Sequence, residues 1–379
     1  MRRLKVLALE PYYNPSHACF LEGYAGRSRH AVEVWSLAPR KWKWRMRGSA
    51  YAFAERARGA APEGAPDVLL ASDYLNLADW RALAPRGFRE APAILYFHEN
   101  QVTYPLGPQA PKDFHYGWIN LSSALAAERV LFNSRYHREE FLGTLERILS
   151  RMPDHVPAGL AARIRGRSSV FPVAIDFAQH RAARARAPRS EGGVPLVLWN
   201  HRWEGDKDPE LLLSAMLEAK RRGVPFRLAV CGQSFRERPA ALERARVELR
   251  EELESFGFLE DRDAYLSLVA RSDFVLSTAR QEFFGVSVVE AMYLGCLPIL
   301  PRALSYPEIL PERLHATFLY DSPERLPDVL CRLLRAPPIH LRSQIEEAAA
   351  RFDSSRLAPE LDAIVEEVYA AGSAFGGTA

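Results

Sequence analysis

Two glutamates eight residues apart, Glu282 and Glu290, lie in a segment that could bind a diphosphate and a ribose. The segment follows the predicted strand DFVLST and opens a predicted helix. Gly285 permits close backbone approach at the start of this helix, where free N–H groups and the helix dipole favour a diphosphate. Glu290 can accept two hydrogen bonds from a ribose diol. The alternative is two surface glutamates, but their position after a strand favours ligand binding.

A second polar loop follows the predicted strand PLVLWN and contains Arg202 and Lys207. A guanidinium binds phosphate oxygens as a fork and an ammonium binds them as a point charge, so the pair can converge on one phosphate group. The alternative is two surface cations that neighbouring acids balance. We favour phosphate binding because this loop is predicted to lie at the same edge of the same sheet as Glu282.

Polar side chains also follow two predicted strands of the N-terminal half. His98, Asn100 and Gln101 come after AILYF, and four polar residues in a row are unusual for core, so we interpret them as sugar recognition rather than structure. Ser16 and His17 follow the first strand, where such a loop often approaches phosphate. The sequence has neither GxGxxG nor GxxxxGK[ST], so the dinucleotide fingerprint and the P-loop are not met.

The basic and aromatic stretch KWKWRMR follows the second predicted strand. Its interleaved tryptophans and cations can stack on bases and neutralise phosphates, which makes Trp44, Arg45 and Arg47 candidates for nucleic-acid binding. Alternatively, Trp42 or Trp44 packs in the core while the cations extend outward to solvent. The residues alone favour neither interpretation.

The elements that must position these residues alternate along the chain. Short apolar runs and longer amphipathic stretches predict two α/β domains, each a Rossmann-like parallel sheet covered on both faces, with strand ends that face a central cleft. The predicted strands are 4–10, 31–37, 67–72, 93–98, 129–133, 168–173, 195–200, 226–232, 273–278, 297–301 and 317–321. The predicted parts are a domain over 1–178, a linker over 179–194, a second domain over 195–355, and a C-terminal helix over 356–379 that packs back on the first domain.

Bulk properties narrow the class of protein. The 379 residues are 48% hydrophobic and 26% charged, and the net charge of +3 does not by itself indicate a nucleic-acid binder. Four cysteines without a CxxC pair suggest neither a disulfide framework nor a zinc site. No apolar run is long enough to span a bilayer or form a signal peptide, so we expect a cytoplasmic protein that does not bind membranes.

Several stretches resemble glycosyltransferase family 4, the retaining enzymes of GT-B fold. The glutamate pair, the loop with Arg202 and Lys207, and His98 follow that family's order. The chain is more closely similar to the tRNA-queuosine α-mannosyltransferase family, formerly the glycosyltransferase-like domain-containing protein 1 family. The stretches that carry this likeness are KWKWRMR, YFHENQVTYP, DFHYGWIN, NHRWEGDKDPE, EFFGVSVVEA and YPEILP, which span residues 41–311.

The resemblance implies mannose transfer from GDP-mannose to a hydroxyl of the queuosine cyclopentene ring in the anticodon loop of tRNA-Asp. It implies that Arg202 and Lys207 hold the diphosphate, that Glu290 holds the ribose, that Glu282 contacts the sugar, and that His98 lies beside the transferred sugar. It also implies a role for the N–H groups of Phe284, Gly285 and Val286, with the base near Gly257, Phe258 and Leu259. The implied acceptor residues are Ser16, His17, Trp44, Arg45, Arg47, Asn100, Gln101, Asp113, His115 and Tyr116. No metal, cofactor or obligate protein partner is expected.

One departure and two alternatives accompany this expectation. The first loop usually carries a glycine pair before its histidine, but Asn14 and Pro15 stand here, and proline has no N–H to donate. One alternative is a family-4 transferase with another nucleotide sugar and a glycan, lipid or metabolite acceptor. The other is a non-catalytic protein on a GT-B scaffold that binds tRNA or a nucleotide.

Overall fold

The computed structural model describes residues 2–60, 64–104, 114–187, 192–233 and 239–375. The chain forms two compact units. The first unit comprises Met1–Asp176 with Phe352–Ala379, and the second unit comprises Phe177–Arg351.

The first unit contains a six-stranded sheet whose paired strands are all parallel. Its strands, in the spatial order β2-β1-β3-β4-β5-β6, are β1 (Lys5–Glu10), β2 (Ala31–Ser36), β3 (Val68–Ser72), β4 (Ala93–Phe97), β5 (Arg129–Phe132) and β6 (Ser168–Val170). Its helices before residue 176 are α1 (Pro15–Ala25), α2 (Trp42–Arg58), α3 (Leu77–Leu83), α4 (Arg86–Arg89), α5 (His115–Ala126), α6 (Arg135–Leu149) and α7 (Leu160–Gly166).

The second unit repeats this plan. Its strands, in the order β12-β11-β10-β7-β8-β9, are β7 (Leu196–Asn200), β8 (Arg227–Cys231), β9 (Leu253–Gly257), β10 (Phe274–Leu276), β11 (Leu297–Pro301) and β12 (Leu319–Tyr320). Its helices are α8 (Ala178–Arg186), α9 (Pro209–Arg221), α10 (Ala240–Glu248), α11 (Arg262–Arg271), α12 (Val286–Tyr293), α13 (Tyr306–Ile309), α14 (His315–Phe318), α15 (Leu326–Arg335) and α16 (Arg342–Ala350).

The last helix, α17 (Ser354–Phe375), belongs to the first unit. Its Asp362 is buried and accepts hydrogen bonds from the Tyr24 hydroxyl at 2.9 Å and the Ser28 hydroxyl at 2.6 Å. The backbone N–H of Arg29 donates to the other Asp362 oxygen at 3.0 Å. These bonds satisfy a buried carboxylate and fasten α17 to the end of α1 and the loop after it.

Burial explains why the strands read as apolar runs. The side chains of β3, β4 and β7 are buried along their whole length, as expected for parallel strands covered by helices on both faces. The polar residues that end each run therefore reach the carboxyl edge of the sheet, where parallel folds bind ligands. Both units present the chemically active side chains at this edge.

Two local predictions differ from the structure. The helix predicted over 239–254 ends at Glu248, and Leu253–Gly257 instead form β9, which pairs in parallel with β8. As an edge strand with half-exposed side chains, β9 lacks the apolar run of a central strand. The linker predicted over 179–194 is helical over Ala178–Arg186, and that helix packs within the second unit.

None of the helices in the described part of the chain combines the length and apolar character needed to cross a membrane.

Candidate active site

Lys207 lies at the centre of the carboxyl edge of the second unit. A 3₁₀ turn after β7 places it there, and its ammonium donates to the backbone oxygen of Gln281 at 2.6 Å. The same nitrogen lies 3.2 Å from Asp206 and 3.3 Å from Glu282. Lys207 is only 6% exposed, so the charge is held by acceptors rather than by water.

The loop of Lys207 and the loop after β10 are tied together through their backbones. The Thr278 hydroxyl donates to the Lys207 carbonyl at 2.7 Å, and the Arg280 N–H donates to the Asp206 carbonyl at 2.7 Å. The Arg280 guanidinium also pairs with Asp208, which caps α9 through the N–H of Leu211. Two loops that are distant in sequence therefore form one rigid surface.

Glu282 is ionised in this setting. Burial alone would raise the pKa of Glu282, but the charge of Lys207 and the N–H of Phe284 hold it below its ordinary value. That N–H approaches the carboxylate at 3.4 Å. Gly285 follows with a φ of +94°, a left-handed conformation that favours glycine, and α12 then begins at Val286. The free N–H groups of the first turn of α12 are consequently close to Glu282.

Arg202 differs from Lys207 in its exposure. Its side chain is 46% exposed and its guanidinium lies 3.5 Å from Glu204. Because water screens an exposed ion pair, the link between Arg202 and Glu204 is weaker than the buried contacts of Lys207. The loop thus presents one buried cation and one partly exposed cation.

Glu290 is fixed inside α12 by two partners that the sequence analysis did not identify. One carboxylate oxygen accepts from His180 Nε2 at 3.1 Å and also from the Arg262 guanidinium. Burial alone would raise the pKa of Glu290, but the hydrogen bond from His180 and the charge of Arg262 lower it to about 2. The carboxylate is therefore ionised at neutral pH, and its second oxygen remains to accept from a ligand.

The residues predicted to meet the base follow β9. Gly257 has a φ of +131° and its carbonyl accepts from the Gly232 N–H at 3.2 Å. Phe258 is 57% exposed, and Leu259 is half-buried. An exposed phenyl ring at a strand end can pack against a planar base.

His201 and Gly232 form a close contact beneath this edge that the sequence analysis missed. A Cβ at position 232 would lie 1.8 Å from the His201 carbonyl, so only glycine fits. Burial, together with the charge of Lys207, lowers the pKa of His201 to about 3, and the imidazole is neutral. A glycine directly after an apolar strand was the signal available in the sequence.

In the first unit, Glu10, His17 and His98 meet at the carboxyl edge. Glu10 ends β1, is fully buried, and accepts from the Tyr12 N–H at 2.8 Å and the Ser72 hydroxyl at 3.1 Å. Its other oxygen lies 3.1 Å from His17 Nδ1 and 3.9 Å from His98 Nε2. The two imidazoles stack with centroids 3.8 Å apart. Burial and the neighbouring His17 hold the pKa of His98 well below its usual range, so this ring is neutral.

Asp73 fixes the backbone of His98 through a hydrogen bond. It follows β3 directly, is fully buried, and accepts from the His98 N–H at 2.9 Å. Burial, joined by the charge of Glu99, raises the pKa of Asp73 well above its usual range. Its position at the end of a predicted strand was a signal that the sequence analysis did not use.

The Asn14–Pro15 departure has a structural explanation. The Asn14 side chain caps α1 by accepting from the N–H groups of Ser16 and His17 at 3.0 Å each, and Pro15 occupies the first turn. Proline suits that position because the N–H there has no helical partner. These two N–H groups are therefore already paired with Asn14 and do not serve as donors to a ligand in this conformation.

Asn100 and Gln101 stabilise the loop after β4. Asn100 is fully buried, and its oxygen accepts from the N–H groups of Val102 and Thr103 at 3.0 and 2.8 Å. Gln101 donates from its side chain to Glu99 at 3.0 Å. The oxygen of Asn100 thus closes a turn, and the contacts that we predict from Asn100 and Gln101 to the acceptor stay predictions. Asp113 lies outside the described residues.

The stretch KWKWRMR begins α2, where Trp42 packs against the protein as one interpretation predicted, and nucleic-acid binding by the stretch stays a prediction. Trp42 packs in a tilted arrangement with Tyr116 of α5, with centroids 5.0 Å apart, whereas Trp44 is 62% exposed. Arg45 donates to the Ala38 carbonyl at 3.1 Å. The Arg47 guanidinium lies 5.9 Å from the Tyr116 ring, and the exposed His115 precedes that tyrosine at the start of α5. One tryptophan is packed and the other faces solvent.

Glu10, His17 and His98 are also the group of described residues best suited to hold a metal ion. One ligand atom from each lies within 4.8 Å of the others, and two imidazoles with a carboxylate suit several divalent metals. Without a metal, the same three side chains are held together by the Glu10–His17 contact and the stacked imidazoles. Metal independence therefore stays a prediction.

Comparison with known proteins places this geometry in a family. Residues 5–175 match the family described as tRNA-queuosine alpha-mannosyltransferase N-terminal, and residues 181–352 match glycosyl transferases group 1. The chain is 34% identical over 358 residues to the tRNA-queuosine alpha-mannosyltransferase of Drosophila melanogaster, covering 93% of this chain and 92% of that protein. The chain belongs to the tRNA-queuosine alpha-mannosyltransferase family.

More distant likenesses agree with the fold. A GDP-mannose-dependent alpha-(1-6)-phosphatidylinositol dimannoside mannosyltransferase of Mycobacterium tuberculosis is 24% identical over 78% of this chain and 72% of that protein. Sucrose-phosphate synthase from Thermosynechococcus elongatus superposes with a TM-score of 0.71 at 16% identity, over 98% of this chain and 100% of that chain. The protein is a glycosyltransferase of GT-B fold, as the sequence predicted. Within the second unit of this family member, the structure brings together Lys207, Glu282 and the start of α12.

Proposed function

We propose that the protein is a retaining mannosyltransferase that moves mannose from GDP-mannose to a cyclopentene hydroxyl of queuosine in the anticodon loop of tRNA-Asp. The observation that carries this proposal is the 34% identity to the Drosophila tRNA-queuosine alpha-mannosyltransferase over 93% of the chain. A nucleotide sugar is the donor that the chemistry of the second unit suits, and we propose a cytoplasmic location.

The diphosphate is the part of the donor that the second unit is best equipped to bind. The buried ammonium of Lys207 and the partly exposed guanidinium of Arg202 supply two positive charges. The first turn of α12 adds free N–H groups at Gly285 and Val286. Together they neutralise the negative charge that grows on the leaving diphosphate, without a metal or cofactor.

The remaining donor contacts follow from the fixed carboxylates. Glu290 accepts from the ribose diol through its second oxygen, because its first oxygen is held by His180 and Arg262. Glu282 accepts from hydroxyls of the sugar. The residues after β9, including the exposed Phe258, meet the base. The GDP-mannose dependence in the name of the mycobacterial relative supports GDP and mannose over other nucleotide sugars.

Transfer proceeds by front-face attack. The bond between the anomeric carbon and the diphosphate oxygen breaks, and GDP leaves with the bonding electrons. The acceptor hydroxyl forms the new bond on the face that GDP vacates, and its proton passes to a phosphate oxygen of GDP. The configuration at the anomeric carbon is therefore retained. The protein contributes position and charge rather than a covalent nucleophile.

The acceptor is assigned to the first unit. Neutral His98 contacts the transferred sugar, and Gln101, His17 and Ser16 lie on the same edge of the sheet. The tRNA meets the basic and aromatic residues of α2 and α5, including Tyr116.

A donor panel tests this proposal. The purified full chain is incubated with queuosine-containing tRNA-Asp and, separately, with GDP-mannose, GDP-fucose, UDP-glucose and UDP-galactose. The tRNA is then digested to nucleosides for mass spectrometry. The expected result is one hexose on queuosine with GDP-mannose alone. Transfer from a UDP sugar would identify another nucleotide-sugar transferase, and GDP-mannose binding with neither transfer nor hydrolysis would identify a non-catalytic binding protein.

The acceptor class has an independent test in salt dependence. If tRNA is the acceptor, its affinity falls steeply as salt rises, because counterions are released when the cations meet phosphates. A flat salt dependence would favour a small or lipid acceptor. The lipid named for the mycobacterial relative makes phosphatidylinositol mannosides the appropriate competitor.

A further inference from the structure

Helix α2 presents an exposed aromatic and basic face that the fold itself does not use. Trp44 is 62% exposed and Tyr51, two turns later on the same face, is 52% exposed. Residues 40–47 contain five cations and no acid: Arg40, Lys41, Lys43, Arg45 and Arg47. Large exposed rings among clustered cations mark a binding surface rather than a packing surface.

Gly48 determines how the Trp44 ring lies. A Cβ at position 48 would be 2.6 Å from both Cε2 and Cζ2 of the Trp44 indole, a distance at which atoms collide. The indole therefore covers the backbone of Gly48, which is buried, while most of the ring surface stays open to solvent. Glycine inside a helix is less favourable than alanine, so this arrangement is obtained at the expense of helix stability.

Two of these cations are held by other aromatic side chains. The Lys43 ammonium lies 5.7 Å from the centre of the Trp42 ring and 5.9 Å from that of Tyr116. The Arg47 guanidinium lies 5.9 Å from the same tyrosine. Lys43 precedes Trp44 directly and Arg47 lies three residues after it on the same helix, so positive charge is available within one helical turn of the exposed indole.

We propose that the Trp44 indole, held flat over Gly48, is a stacking platform for one unpaired base of the RNA acceptor. The cations of residues 40–47 bind the phosphates on either side of that base. This inference rests on the proposed function. Unpaired bases of loops stack on aromatic side chains, whereas paired bases do not present a free face. A second copy of this chain is a poor occupant, because a two-fold contact would bring the same five cations together.

The test compares four single substitutions in the full chain. Binding of a labelled anticodon stem-loop is measured by fluorescence anisotropy at several salt concentrations for wild-type protein, Trp44→Ala, Gly48→Ala, Gly143→Ala and Arg47→Gln. Gly143 lies inside α6, and a Cβ there would have only an ordinary contact at 3.8 Å, so this variant is the matched control. Thermal unfolding of each variant is recorded in parallel.

We expect Trp44→Ala to weaken RNA binding by about 5- to 150-fold, the range for loss of one base stack. Gly48→Ala should weaken it in the same direction by displacing the indole, without lowering the melting temperature, since alanine favours a helix more than glycine. Gly143→Ala should bind like wild-type. The slope of affinity against salt should be unchanged in Trp44→Ala, because stacking releases no counterions, and should fall by about one in Arg47→Gln.

The results separate this inference from the proposed function. If wild-type protein transfers hexose to tRNA but Trp44→Ala and Gly48→Ala bind the stem-loop like wild-type, the stacking platform is refuted and the proposed function stands. If wild-type protein binds no RNA even at low salt, the proposed acceptor is refuted as well. Loss of binding to anionic phospholipid vesicles in Trp44→Ala, with RNA binding unchanged, would overturn the inference in favour of a membrane surface.

Discussion

Replacing Lys207 with methionine tests the centre of the proposed donor site. The substitution keeps the length of the side chain and removes a charge that lies 3.2 Å from Asp206 and 3.3 Å from Glu282. Loss of a charge-assisted contact to the leaving diphosphate should cost about 2–4 kcal/mol of transition-state binding, by analogy with removed oxyanion donors. The expected decrease in kcat/KM for the donor is therefore about 30- to 1000-fold.

Stability should change as well, and its dependence on pH has a definite sign. Removal of one partner from a buried ion pair costs about 3–5 kcal/mol of the free energy of unfolding. In the wild-type protein the pKa of Glu282 is lowered, so ionised Glu282 stabilises the fold above the unfolded value of about 4.3, and this contribution is lost as the pH falls. Lys207→Met removes this stabilising contribution of ionised Glu282. The loss of stability should be greatest near neutral pH and should shrink below about pH 4.

Two further variants distinguish the effect of a lost charge on transfer activity from its effect on stability. Lys220→Met removes a 40%-exposed lysine that pairs with Glu252 at 3.0 Å, and it should change stability by at most about 1 kcal/mol and leave transfer unchanged. Arg202→Met should lower kcat/KM without a comparable loss of stability, because its side chain is 46% exposed. Initial rates are measured well below the melting temperature of each variant. Folded Lys207→Met protein with kcat/KM within about threefold of wild-type would refute the assignment of the diphosphate.

Three more predictions follow from the pKa values, the packing and the expected absence of a metal. Because the pKa of Glu290 is about 2, donor KM should be constant between about pH 5 and 8 in the wild-type protein. His180→Ala should raise the pKa of Glu290 and therefore increase donor KM more at low pH than at high pH. An increase in donor KM that does not depend on pH would contradict this prediction. Gly232→Ala should destabilise the protein to urea by at least about 1–3 kcal/mol, because its Cβ would lie 1.8 Å from the His201 carbonyl, whereas Gly193→Ala, which meets no atom within 4 Å, should not. Dialysis against EDTA should leave hexose transfer unchanged; loss of activity that a divalent metal restores would show that the protein needs one.

The sheets were predictable because buried parallel strands have a simple sequence pattern. Parallel strands covered on both faces are continuous apolar runs, and polar residues after them, such as His98 after β4, lie at the carboxyl edge where we place the site. The same rule fails at an edge strand. Leu253–Gly257 are half-exposed and follow a charged helix, so their sequence reads as an extension of that helix.

Contacts between residues that are far apart in the sequence could not be predicted from such a pattern. His180 and Glu290 are 110 positions apart, and their hydrogen bond depends on the packing of α8 within the second unit. The stacked pair of His17 and His98 likewise depends on the order of strands in the sheet. His17 follows β1 and His98 follows β4, and both of these strands are neighbours of β3. Asn100 has a structural task that the sequence pattern did not reveal, because its oxygen closes the turn after β4.

The most direct test of the account is the identity and configuration of the product. Queuosine-containing tRNA-Asp and a matched tRNA-Asp with unmodified guanosine are each incubated with GDP-mannose and the full chain, and the nucleosides are analysed by mass spectrometry before and after α-mannosidase treatment. The account predicts one hexose on queuosine only, removed by α-mannosidase, because the α-linkage of the donor is retained. Hexose on the guanosine tRNA, no hexose on either tRNA, or a product that only β-mannosidase cleaves would contradict it.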